Sequence, residues 1–178
     1  LLTDGAVEAA QQALADRAPA TVKIGSVMTQ KLNFVRHYIQ ENGDYVGNNF
    51  GDYSVSPIKA HVTEADREMQ LIQFDREGKD IVLMNFQAHP TMTGGASKYD
   101  ISADFVGACR EMIERELDCN FLYFTGAGGN LNTTSKIPEE NLAEKVDYKL
   151  HGQTLARYAI DNMDTLTVVD SGKVQVIN

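Results

Sequence analysis

A chain of 178 residues, 43% of them hydrophobic, is long enough to bury one core and short for two. Its formal charge of −9 comes from carboxylates spread along the chain, with no basic cluster, which argues against nucleic acid or an anionic membrane surface as partner. No apolar run approaches the roughly 20 residues of a membrane span, no basic-headed signal peptide is visible, and Cys109 and Cys119 are too few for a disulfide scaffold and read as buried thiols.

Asp4 precedes an alanine-rich run, residues 5–17, in which Val7, Ala10 and Leu14 recur at helical spacing and predict an amphipathic helix. Rough alternation after Pro19 predicts a strand. Residues 33–57, rich in asparagine, glycine, tyrosine and aspartate, predict a long irregular excursion of the functional or mobile kind. EMQLIQF alternates as a strand, REGK makes a turn, and the continuous apolar run 81–86 reads as a strand covered on both faces, so the two form an antiparallel hairpin. That second strand ends in His89 and Pro90, where proline removes a ladder donor and the chain leaves the sheet.

The loop TMTGGASKYD follows, then a helical period from Ile101 with Phe105, Ala108, Met112, Ile113 and Leu117 on one face. CNFLYFT predicts a further buried strand, running into the turn GAGGNLN. Pro138 opens a long helix expected to reach about Asp161, and residues 165–178 close as a strand pair around Ser171 and Gly172. The fold class is therefore α/β: a mixed sheet flanked by helices, in one domain. A start without methionine and a strand-like end, KVQVIN, suggest a partial domain within a longer protein.

Two strands thus deliver unusual residues at their carboxyl ends, His89 from one and residues 126–132 from the other, where α/β proteins build their sites. A histidine leaving a buried strand can be a zinc ligand, a general base or a hydrogen-bonded structural residue, and no second histidine or cysteine follows it at ligand spacing. His37 and His61 read as structural, and His151, among charged neighbours on the long helix, as solvated. The turn GAGGNLN can present consecutive amides to an anion, or can be a tight turn needing positive φ. A nucleotide loop needs its glycines to open directly into a helix, and TTSKIPEE intervenes, so a nucleotide-binding module is the least favoured alternative. Arg36 suits a surface ion pair or a substrate contact.

In order, LNFVRHY, NFQAHPT, ISADFVGACREMIE and FLYFTGAGGNLN resemble the catalytic domain of the neutral, non-lysosomal ceramidases and their bacterial ceramidase-like relatives, over residues 32–134. In that family the histidine of the strand-ending His-Pro is a zinc ligand, which implies a metal role for His89. The family's other ligands, a histidine upstream and a glutamate and a tyrosine downstream, fall outside this sequence. The resemblance therefore implies that the rest of the polypeptide completes the site, and that this chain alone binds zinc weakly or not at all, since catalytic zinc takes about three protein ligands.

Where ceramidases carry a serine once taken as nucleophile, GGNLNTT aligns Asn132. The resemblance implies catalytic positions for Asn132 and Arg36, with Arg36 on a polar or anionic part of the substrate, and substrate-binding positions for Gly128, Gly129 and Asn130 through backbone and amide donors. Ser102 and Asp104 fit the start of the helix, or a bond behind His89. The implied activity is zinc-dependent hydrolysis of a linear amide, an N-acyl lipid or related small molecule. The competing reading is a binding or scaffold domain that keeps the fold without the metal.

Overall fold

The computed structural model describes residues 2–93 and 99–170, which form three α-helices and ten strands. Helix α1 (Leu2–Ala15) precedes β1 (Ala20–Met28). Four short strands follow: β2 (Phe34–Val35), β3 (His37–Gln40), β4 (Tyr45–Gly47) and β5 (Ile58–His61). Strands β6 (Glu68–Arg76) and β7 (Ile81–Phe86) form the expected antiparallel hairpin, turning at Gly78 with φ of 93°. After α2 (Asp104–Leu117) come β8 (Asn120–Thr125), β9 (Leu131–Asn132), α3 (Tyr148–Ile160) and β10 (Thr167–Val168).

The main sheet has the order β10-β1-β6-β7-β8 and is antiparallel except between β7 and β8. A parallel pair requires a crossover, and α2 supplies it. Alternation along β6 and β7 sends Met69, Leu71, Val82, Met84 and Phe86 to one face, where Phe105, Cys109 and Ile113 of α2 and Leu155, Ala156 and Ala159 of α3 bury them. The sequence class, α/β with a mixed sheet and flanking helices, is the observed one. Cys109 and Cys119 are both free and buried, and burial pushes their thiols up to about 12 and about 11.

Several expectations are corrected. The excursion 33–57 is irregular only in part: it contains β2, β3 and β4, with β3 the centre of a small sheet, β4-β3-β5, and β2 paired with β9, while residues 48–57 hold no strand or helix. Strands of two to four residues are too short to show a period. The long helix begins ten residues late, at Tyr148 rather than Pro138. Pro138–Glu140 makes one 3-10 turn, and the Asn141 side chain then donates to the carbonyls of Ser135, Ile137 and Pro138, which competes with helix propagation. Asp147 starts α3 instead, accepting the Leu150 amide at 2.8 Å.

His151 is not solvated but fully buried, edge-on to Phe105 at 4.8 Å between centroids. In α1 the helix is present, yet Val7 and Leu14 are exposed and Ala9 and Ala13 face the sheet across a gap. Thr167 and Val168 pair with β1, whereas the expected turn and last strand at 171–178 lie outside the described residues.

Candidate functional site

Strands β7 and β8 end side by side, Phe86 opposite Thr125, so the two unusual carboxyl ends are neighbours. Beyond them, backbone bonds join three segments. The His89 amide donates to the Leu131 carbonyl at 3.0 Å and the Arg36 amide to the Asn130 carbonyl at 2.9 Å. The β2–β9 ladder sets Phe34 opposite Asn132 and Val35 opposite Leu131. The buried Asn33 supports the join from behind, its amide donating to the carbonyls of Asp66 and Gln87.

His89, Arg36 and Asn132 thereby line one cleft of about 360 Å³, with Asn48, Thr91 and Met92. His89 Nδ1 lies 2.6 Å from the Gly128 carbonyl. A carbonyl only accepts, so Nδ1 is the donor, and in the neutral imidazole the lone pair is on Nε2. Neither the Arg36 guanidinium nor the Asn132 side chain has a hydrogen-bond or ion-pair partner among the described residues.

The glycine turn works differently from expectation. None of Gly126, Gly128 and Gly129 has positive φ. Close approach is found at Gly126 instead, where a Cβ would stand 2.8 Å from Gln87 Oε1, whereas one on Gly128 would make only ordinary contact, 3.4 Å from the Ala88 backbone. The Gly128 amide is taken by the Gly126 carbonyl at 2.7 Å, and its own carbonyl by His89 and by the Leu131 amide, so Gly128 has no free backbone donor for a ligand. Its role is to hold His89. Gly129 and Asn130 are exposed, with amides that carry no partner among the described residues.

Ser102 and Asp104 serve the start of α2. Ser102 Oγ accepts the Asp104 amide at 3.0 Å, while the buried Asp104 carboxylate accepts the Phe105 amide and both the amide and the hydroxyl of Thr93. These bonds leave neither side chain directed to His89.

Sequence reasoning missed two neighbours of the cleft. One is a recess of about 520 Å³ that shares Asn48, Asn132 and Thr134 with it and adds Tyr53 and Lys136. The other is a cluster around His61, whose ring nitrogens both face oxygens: Nδ1 the Val35 carbonyl, Nε2 the Glu140 carboxylate at 2.7 Å and Ser135 Oγ at 3.2 Å. Burial opposes the Glu140 charge, but hydrogen bonds from Ser135 and His61 outweigh it and hold that carboxyl below its ordinary range. Contacts spanning 26 and 79 residues leave no local signal.

No family model matches the sequence, and no curated protein matches it. Among solved structures the chain is similar to the neutral ceramidase from Pseudomonas aeruginosa, with 18% identity and a TM-score of 0.61 over 89% of this chain and 25% of that one. It is also similar to a ceramidase complexed with C2, with 16% identity and a TM-score of 0.58 over 85% of this chain and 23% of that one. The fold is ceramidase-like. The chain spans about a quarter of the length of these solved structures.

Within this ceramidase-like fold, no group of three histidine, cysteine or carboxylate side chains sits together among the described residues. His89 itself has the chemistry of a metal ligand: a proton fixed on Nδ1 by a backbone carbonyl, and a lone pair on Nε2. No helix among the described residues is long and apolar enough to cross a membrane.

Proposed function

We propose that this chain is part of a zinc-dependent, ceramidase-like hydrolase of linear amides. The observation that carries the reading is the convergence of His89, Arg36 and Asn132 on one cleft, with His89 held by Gly128 in the form that can ligate a metal. His89 would hold the zinc through Nε2, with the remaining ligands supplied by further polypeptide. When bound, zinc polarises a carbonyl and acidifies water at neutral pH.

This chain's own residues supply donors and grip. As water adds to the amide carbon, negative charge grows on the carbonyl oxygen, and the unpartnered Asn132 amide that lines the cleft is available to it, while the Gly129 and Asn130 N–H groups lie on the adjoining turn outside that lining. Arg36 holds a polar or anionic part of the substrate. The C–N bond then breaks, the water oxygen stays on the acyl carbon, and the amine leaves with a proton.

Elemental analysis tests this on a polypeptide extended to the length of the solved relatives. Stoichiometric zinc, lost in His89→Ala, is the expected result, with amide hydrolysis lost alongside it. Zinc that survives His89→Ala, or an extended protein that takes up no zinc, would overturn the reading.

A further inference from the structure

The recess beside Asn132 has a charge pattern unlike the rest of the molecule. In a chain of net charge −9, neither the recess nor the adjoining cleft is lined by any aspartate or glutamate among the described residues, while Arg36 and Lys136 both line the pair. Neither cation has an ion-pair partner among the described residues. Glu140 is engaged by Ser135 and His61 and lines a separate cavity.

The other groups are donors in search of an acceptor. The Tyr53 hydroxyl is buried with no hydrogen-bond partner, and burial followed by the neighbouring Tyr38 raises its pKa, so it stays a neutral donor. The Lys136 ammonium stands 5.7 Å from the centroid of the Tyr53 ring. The side-chain amides of Asn48, Asn49 and Asn132 have no partner among the described residues. One ammonium, one phenol and several amides suit a planar oxyanion of single charge.

We propose that this recess binds a carboxylate, so that the amide reaching the cleft is an N-acyl amino acid and not a neutral N-acyl amino alcohol. The substrate class rests on the amidohydrolase reading above. The carboxylate site does not.

Calorimetric titration of this chain tests it without metal, using N-hexanoylglycine, its uncharged counterpart N-hexanoylglycinamide, and inorganic phosphate. N-hexanoylglycine is expected to bind at least ~10-fold more tightly than the glycinamide. Lys136→Met and Tyr53→Phe are each expected to weaken it ~10–100-fold, the size of a charge-assisted hydrogen bond, and Lys136→Arg to restore most of the loss. Far-UV circular dichroism checks that each variant folds.

Equal binding of the two amides, indifference to Lys136→Met in a folded variant, preference for phosphate, or no binding of N-hexanoylglycine would each overturn the proposal. The two readings fail separately. Lys136-dependent binding with no hydrolysis by the zinc-loaded extended protein sinks the hydrolase and leaves the recess, whereas cleavage of the hexanoyl amide of N-hexanoylglycinamide as fast as that of N-hexanoylglycine does the reverse.

Discussion

His151 shows how one residue can be misjudged from its neighbours and still be informative. Its flanks, Lys149, Leu150 and Gln153, are exposed, yet its own ring is fully buried, and neither ring nitrogen has a partner. Burial lowers its pKa from the ordinary 6.5 to about 4, only slightly offset by Asp104, so the folded protein holds a neutral imidazole that the unfolded chain would protonate. Because the folded pKa is depressed, the unfolded state binds more protons. Stability is therefore complete above pH 6.5 and falls as pH drops toward 4, by about 3 kcal/mol from this residue. In urea unfolding at pH 7 and pH 4.5, His151→Leu should lose distinctly less stability than the wild-type chain on acidification. It should also be no less stable at pH 7, since it removes two unsatisfied polar atoms. Parallel losses in both proteins would show that the ring is not buried as described.

At the scale of elements, the contact between α2 and α3 depends on the residue next to His151. A Cβ on Gly152 would lie 2.3 Å from the Phe105 carbonyl oxygen and 2.9 Å from both Ala108 Cβ and the Cys109 nitrogen. Two of these are backbone atoms, which cannot rotate away, so Gly152→Ala must separate the helices and loosen the layer over the sheet. A loss of ~3 kcal/mol in chemical denaturation is expected. Gly5→Ala in α1, where nothing lies within 4 Å, should instead gain up to about 1 kcal/mol. A mild effect at Gly152 would mean that the helices are not in such close contact. The same two helices show what was legible. The apolar face of α2 was readable because Phe105, Cys109 and Ile113 repeat with the helix and all point to one layer. The start of α3 was not, because Asn141 and Asp147 decide it through bonds to backbone groups rather than through a periodic pattern. Likewise the run 81–86 declared itself a covered strand and brought His89 with it. The strands that flank Arg36 are two and four residues long, and the first is held by Leu131 and Asn132, far off in the sequence, so the cleft could be inferred only as a neighbourhood of strand ends.

The molecule as a whole is lopsided, and the lopsidedness has a measurable consequence. One sheet face is closed by α2 and α3. The other carries Val22, Ile24, Ile72, Phe74, Leu83, Leu122 and Phe124, set side by side by the register of β1, β6, β7 and β8. Ile24, Leu122 and Phe124 remain 44%, 42% and 50% exposed, and α1 covers the face only loosely, across a gap of about 650 Å³ with no buried residue of its own. Strand β8 is moreover the end of the sheet, with no strand on its far side among the described residues. Apolar area of this kind beside an unpaired strand edge binds hydrophobic dyes and promotes association. The net charge of −9 opposes association without covering the face. This chain should therefore bind anilinonaphthalene sulfonate in its folded state and sediment with a weight-average mass that rises with concentration. Leu122→Lys with Phe124→Lys places two charges on the exposed side of β8, and the core residues Phe121 and Tyr123 point the other way, so the fold should survive. The double variant should show several-fold weaker dye fluorescence and a mass independent of concentration. A wild-type chain that is already monomeric and dye-silent would mean that α1 seals the face more closely than its gap implies.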